Sequence, residues 1–143
     1  MKMTKNDIST LANKIKDYLV EEDLYIDVCI YFNDMRMRNI KEDGSCDIEN
    51  GWNPFDCFSY ANHRHILSMS FEGGFNHVIN YYDGYDYCES IMKGFNKILN
   101  DYDLYYEQGN SWNLSVYPNK EESYKDIEFT DYWEKPELKE EDL

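Results

Sequence analysis

Four stretches of the sequence place carboxylates directly beside tyrosine or tryptophan. They are residues 21–27 (EEDLYID), 81–90 (YYDGYDYCES), 101–107 (DYDLYYE) and 121–134 (EESYKDIEFTDYWE). Carboxylates pair with Lys and Arg, and aromatic side chains supply the rigid contact area that is enriched at binding hot spots. Carboxylates two residues apart on a strand are separated by ~6.7 Å, and those one turn apart on a helix by ~5 to 6 Å. Both separations are broadly comparable with the spacing of successive phosphates in a nucleic-acid backbone. The pattern predicts a surface that binds a basic protein.

The stretch 81–90 also contains a predicted helix start. Asp86 followed three residues later by Glu89 is typical of a helix N-terminus, where carboxylates favour the positive end of the dipole. Tyr87 lies on the apolar stripe of that helix and is expected in the core. The acidic and aromatic residues that bracket the helix are the predicted contacts with a partner: Tyr82, Asp83, Tyr85, Asp86, Glu89, Asp101, Asp103, Tyr105 and Glu107.

Metal-ligating residue types gather between positions 57 and 77. Cys57, His63, His65 and His77 lie in one part of the sequence, and two histidines at i and i+2 would share one face of a strand. No spacing of a known zinc motif is present, so no metal ligands are predicted. A metal-dependent enzyme using the His63 to His77 region stays open as an alternative.

Catalytic motifs are missing from the sequence. There is no G-x-S-x-G, no phosphate-binding glycine loop and no H-E-x-x-H. Among 29 acidic residues some carboxylate pair always has a suggestive spacing, so acid–base chemistry cannot be assigned to any of them. The sequence therefore predicts a protein that is not an enzyme and holds no cofactor.

The charge and composition restrict the partner. The 143 residues include 29 acidic and 14 basic side chains, a formal charge of −15 that disfavours nucleic acid and anionic membranes and attracts basic surfaces. A content of 42% hydrophobic and 17% aromatic residues predicts a folded domain. No apolar run approaches the ~20 residues of a membrane span. Four scattered cysteines favour reduced thiols in a cytoplasm. The acidity could also be only a solvated surface.

The first half of the chain predicts one helix and a run of strands. Thr4 and Asp7 form a capping box before a helix over 4–20, whose apolar residues recur at helical spacing. Residues 24–32 alternate and predict a strand with Leu24, Ile26, Val28, Ile30 and Phe32 buried, continued by Met35 and Met37. A short strand is expected at 46–49 after the polar turn at 41–45.

The second half predicts a hairpin, a helix and another hairpin. Residues 65–82 form two β-prone runs around Gly73-Gly74, and 87–102 form an apolar helical stripe in which Gly94 permits close packing on the sheet. The runs 104–107 and 112–117 flank a turn, and 127–133 could add an edge strand. The expected fold is a single α+β domain over 1–135, with an acidic flexible tail at 136–143. Its antiparallel sheet has about five to seven strands and carries two main helices, in the order α-β-β-β-β-α-β-β.

In size, charge and acidic–aromatic clusters (YYDGYDYCES, DYDLYYE and EESYKDIEFTDYWE) the chain resembles the small acidic inhibitors carried by phages and mobile elements, the anti-CRISPR and anti-restriction proteins. The resemblance implies a protein of the bacterial host cytoplasm that occupies the nucleic-acid groove of a defence nuclease, most of all a Cas9-type effector. It would block DNA or guide RNA stoichiometrically. An immunity or antitoxin protein that neutralises a basic nuclease toxin is the alternative. Such inhibitors share no common fold, so no site residue is carried over.

Overall fold

A six-stranded antiparallel sheet forms the centre of the protein, with its strands side by side in the order 46–50, 35–40, 28–32, 67–71, 113–118 and 104–110. The computed structural model describes residues 3–52 and 65–128. The elements are α1 (Lys5–Glu21), β1 (Val28–Phe32), β2 (Met35–Ile40), β3 (Cys46–Asn50), β4 (Leu67–Phe71), α2 (Gly74–Ile79), α3 (Tyr85–Asn100), β5 (Leu104–Asn110), β6 (Asn113–Pro118) and a 3₁₀ helix (Glu121–Asp126). The predicted α+β class is confirmed. The domain limit at 135 and the tail at 136–143 lie outside the described residues and stay predictions.

Helix α1 begins where the sequence predicts. Thr4 and Asp7 form the capping box: the Asp7 amide donates to Thr4 Oγ1 at 3.1 Å, and the Thr4 amide donates to Asp7 Oδ2 at 2.8 Å. These bonds satisfy donors that a helix start would otherwise leave unpaired. The predicted apolar face is buried: Ile8, Leu11, Ala12, Ile15 and Leu19.

The predicted single strand over 24–37 is wrong. Asn33 and Asp34 have φ of 50° and 61° and form a two-residue turn, so Phe32 pairs with Met35 and the chain makes a hairpin of β1 and β2. Asn and Asp tolerate the left-handed conformation that such turns require. Upstream, Ile26 is 70% exposed and Tyr25 is buried, the reverse of the predicted alternation, because the strand begins only at Val28.

The predicted hairpin at Gly73-Gly74 is also wrong. Only β4 precedes the glycines, and α2 follows them, with Phe75, Val78 and Ile79 buried at i, i+3 and i+4. Gly73 is required for a close approach, because a Cβ there would lie 2.6 Å from the carbonyl oxygen of Ile26. Packing of these apolar residues on the core overrides their β propensity.

Helix α3 begins two residues earlier than predicted and without the predicted cap. Its N-cap is Gly84, which makes no side-chain capping bond, and Asp86 lies in the first turn. Tyr87, expected in the core, is 46% exposed, whereas its neighbour Cys88 is buried. The two carboxylates of the predicted cap are therefore surface groups.

The second hairpin is confirmed and is longer than predicted. Strands β5 and β6 pair from Leu104 opposite Pro118 to Asn110 opposite Asn113. Of the predicted edge strand at 127–133, Ile127 makes an isolated parallel bridge to Met3, and residues 129–133 lie outside the described residues.

Helices α1 and α3 pack antiparallel against each other. Lys14 Nζ lies 5.0 Å from the ring centre of Tyr102, near the end of α3, and the Tyr18 hydroxyl donates to the Ile91 carbonyl at 2.7 Å. Gly94 faces the Tyr18 ring, so its predicted role is corrected: it permits close packing of α3 on α1 rather than on the sheet. The C-terminus of α1 therefore lies beside the N-terminus of α3.

This contact predicts that the effect of Gly94→Ala on the free energy of unfolding changes sign when Tyr18 is removed. In Gly94→Ala the new Cβ would lie 2.6 Å from Cζ of Tyr18, so the ring must move and lose its bond to Ile91. The strain and the lost bond, roughly 1–3 and 0.5–1.5 kcal/mol, exceed the ~1 kcal/mol gained in helix propensity, and the variant is less stable.

In a Tyr18→Ala background the same substitution meets no ring and should stabilise the protein by about 1 kcal/mol. Urea unfolding of the four proteins measures the cycle. A Gly94→Ala change of the same sign in both backgrounds would contradict the contact.

Candidate protein-interaction surface

One end of the sheet collects the segments that surround the α1–α3 junction. β1 begins there opposite the end of β4, with Val28 paired to Phe71, and β2 ends there with Ile40 paired to Cys46. We call this region the acidic end; it comprises residues 21–27, 40–46 and 71–89. Two of the four acidic–aromatic stretches, 21–27 and 81–90, meet in it.

The acidic end has a strong charge imbalance. Its three segments contain ten Asp and Glu and a single Lys or Arg, Lys41, whose Nζ lies 3.3 Å from Asp47 Oδ1. At the opposite end of the sheet, segments 3–7, 32–35, 100–104 and 118–128 contain eight acids and three lysines. Much of the net charge of −15 is therefore concentrated at one end of the fold.

The carboxylates of the acidic end lie close together without basic partners. Among the described residues, Glu22, Asp23 and Asp83 have no Lys or Arg nitrogen within 4.0 Å. Partial burial, followed by the charges of Glu22 and Asp83, raises the pKa of Tyr87. By contrast, Glu49 on β3 binds Arg36 at 2.9 Å and Arg38 at 2.7 Å. Arg36 and Arg38 thus neutralise a carboxylate outside the acidic end.

The position of three carboxylates weakens helix α1. Glu21, Glu22 and Asp23 occupy its C-terminus, where the dipole favours cations, and the last turn holds no basic residue. Each carboxylate there costs rather than contributes stability. A local conflict of this kind is typical of residues retained for function.

Four exposed tyrosines line the same end. Tyr81, Tyr82, Tyr85 and Tyr87 are 39%, 68%, 67% and 46% exposed. The Tyr81 hydroxyl donates to Glu89 Oε2 at 2.7 Å, and the rings of Tyr81 and Tyr85 lie 5.5 Å apart. These contacts hold the rings of Tyr81 and Tyr85 in place, so these two side chains present ordered contact area at low entropic cost.

The Tyr81–Glu89 bond predicts a late-titrating tyrosine. The carboxylate of Glu89 raises the pKa of Tyr81 from 10.0 to about 12. Because the folded value lies above the unfolded one, the stabilisation is complete below pH 10 and is lost as the pH rises towards 12. Phenolate absorbance of the parent minus that of Tyr81→Phe gives the titration of this one group. Glu89→Gln should bring it back towards 10; an unchanged titration would contradict the bond.

The structure divides the nine predicted contact residues into three groups. Tyr82, Asp83, Tyr85, Asp86 and Glu89 lie together at the acidic end. Asp101 and Asp103 lie at the other end of α3, ~22 Å from Asp86 at 1.5 Å per helical residue.

The remaining two predicted contacts lie on a different face. Tyr106 packs on Phe95 of α3 with ring centres 5.6 Å apart, whereas the Tyr105 ring lies 5.8 Å from that of Tyr117. Since side chains alternate along β5, Tyr105 and Glu107 point to the face of the sheet away from α3. They do not share a surface with the acidic end.

Sequence reasoning did not select three residues that adjoin the predicted contacts. Glu22 and Asp23 were noted only as part of an acidic stretch, and Tyr87 was assigned to the core. The signal that could find them is the pair of helices of similar length, 17 and 16 residues, because antiparallel packing brings the end of one to the start of the other.

The described residues contain no group of three His, Cys, Asp or Glu side chains that could hold a metal ion. His65 is fully buried, with Nδ1 hydrogen-bonded to Ser68 Oγ, which in turn lies 2.7 Å from Ser115 Oγ. His77 is in α2 at the acidic end, whereas His65 precedes β4 at the other end of the sheet. These two histidines do not form one site; Cys57 and His63 lie outside the described residues.

Comparisons with protein-family models, with curated proteins and with solved structures find no match to this chain. None of the helices in the described ranges combines the length and the apolar content needed to cross a bilayer. Any functional assignment therefore depends on the geometry and charge of the protein itself.

Proposed function

We propose that this protein is a non-enzymatic inhibitor whose acidic end binds the basic nucleic-acid groove of a defence nuclease and blocks DNA or guide RNA. A Cas9-type effector is the proposed target. The observation that carries the proposal is the concentration of ten carboxylates and one lysine at the end of the fold that also exposes four tyrosines. Acting as an acidic nucleic-acid mimic, the protein would work without turnover, one molecule to each effector.

Both kinds of side chain are needed for such binding. An exposed ion pair contributes only about 0–1 kcal/mol and is screened by salt, so several must form together. Carboxylates steer the approach and set the orientation, and the tyrosines supply contact area when water leaves the interface. The arrangement of Glu22, Asp23 and Asp83 around the exposed ring of Tyr87 combines the two.

The order of addition in a DNA-cleavage assay tests the proposal. A guide-loaded Cas9-type effector should lose cleavage at one equivalent of the protein added before the target duplex, and keep it when the duplex is bound first. In a second series the protein is added before the guide RNA, and cleavage unaffected by molar excess in both series would overturn the Cas9-type assignment. Inhibition of a basic nuclease toxin in the same format, without inhibition of the effector, would move the protein to the immunity class.

A further inference from the structure

A groove at the edge of the acidic end, lined by apolar and acidic residues, lies beside the loop that joins α1 to β1. It has a volume of about 500 Å³. Three of its lining side chains are large and apolar yet exposed: Val20 at 42%, Ile26 at 70% and Ile40 at 40%. Single exposed apolar residues are ordinary, whereas three around one concavity form an apolar patch that a partner could cover.

The backbone conformation of this loop keeps the Ile26 side chain exposed. Asp23 and Asp27, on either side, have φ of 59° and 61°, a conformation uncommon for residues other than glycine. Buried Leu24 anchors the loop, with its amide donating to the Leu19 carbonyl at 2.7 Å, and the Asp27 carbonyl accepts from the Glu72 amide at 3.2 Å. The exposure of Ile26 is therefore fixed by the backbone on both sides.

The groove also carries negative charge. Asp23 and Asp27 line it, and within the described ranges neither has a Lys or Arg nitrogen within 4.0 Å. Both aspartates, with Ile26 and Ile40, belong to segments 21–27 and 40–46, so the groove is part of the acidic end. Its occupant must be apolar where it meets Ile26 and Ile40, and basic where it meets the two aspartates.

We propose that the groove between Val20, Ile26 and Ile40 binds an apolar side chain flanked by Lys or Arg on the same basic partner. This inference rests on the proposed function and specifies the partner's chemistry. The ion pairs with Asp23 and Asp27 give orientation, and the buried apolar side chain gives a contribution that salt does not screen. The contributions of the ion pairs and of the apolar side chain to binding can be measured separately.

A short peptide of alternating lysine and leucine is the first probe, and one of alternating lysine and serine is its charge-matched control. The leucine peptide should shift the methyl resonances of Ile26 and Ile40 saturably and bind about tenfold or more tightly than the serine peptide. Equal shifts with both peptides, or none, would overturn the groove assignment. Because no nuclease is present, this result does not depend on the proposed function.

The second test uses the guide-loaded effector. Ile26→Ala/Ile40→Ala should bind it about tenfold more weakly at low and high salt alike, without loss of folding, because both side chains are already exposed. If this variant binds with the affinity of the parent, the groove inference is contradicted, whereas the proposed function is unaffected. Absence of effector binding by the parent protein would reject the proposed function instead, whatever the peptides show.

Discussion

The variant Glu21→Gln/Glu22→Gln/Asp23→Asn/Asp83→Asn should bind the guide-loaded effector roughly 100-fold more weakly than the parent at low salt. Four exposed ion pairs at up to ~1 kcal/mol each account for a loss of this size. The same variant should melt roughly 2–4 °C higher, because removing three carboxylates from the negative end of α1 outweighs the loss of one, Asp83, beside the positive end of α3. Titration calorimetry and thermal unfolding measure the two effects.

The matched control removes four charges elsewhere. Asp101→Asn/Glu107→Gln/Glu122→Gln/Asp126→Asn has the same net charge as the first variant and changes carboxylates outside the acidic end. It should lose no more than about threefold in affinity, through weaker long-range steering. Equal losses for both variants would mean that total charge, rather than the acidic end, determines binding.

Phe95→Ala should destabilise the protein by about 3–5 kcal/mol, a large part of the stability of an ordinary domain. The Phe95 side chain is fully buried, and its ring centre lies 5.5 Å from that of Phe75 and 5.6 Å from that of Tyr106. It therefore joins α2, α3 and β5 at one point. Urea unfolding monitored by circular dichroism measures the loss.

A conservative change in the same cluster is the control. Tyr106→Phe keeps the ring on Phe95 and removes only a hydroxyl, whose pKa is raised by burial. It should change the free energy of unfolding by less than about 1 kcal/mol. If Phe95→Ala were equally mild, α3 would not depend on this cluster, and the position of the acidic end would need another explanation.

Local sequence signals were sufficient to predict the elements that are determined by interactions between near neighbours in the chain. Thr4 and Asp7 cap α1 through bonds between near neighbours, and the apolar spacing of α1 matches its buried face. Local signals failed where contacts between distant parts of the chain determine the secondary structure. Gly73-Gly74 has the sequence of a hairpin turn, yet Gly73 is needed because the Ile26 carbonyl lies against it, and that contact joins residues far apart in the chain.

The candidate site was predictable in composition but not in location. The acidic and aromatic stretches are visible in the sequence, and five of the predicted contacts do lie together at the acidic end. Residues 21–27 lie beside these five contacts because α1 packs antiparallel on α3. The contacts of Tyr18 with Ile91 and Gly94 determine this packing. No periodicity in the sequence reports a contact between two helices that are 63 residues apart in the chain, counted from Glu22 to Tyr85.

Competition with the target duplex tests the central claim most directly. The affinity of the protein for a guide-loaded Cas9-type effector should be measured with and without bound duplex, each at low and moderate salt. The account predicts that duplex and protein exclude each other and that the dissociation constant rises with salt. A complex that holds both at once, or an affinity independent of salt, would contradict it.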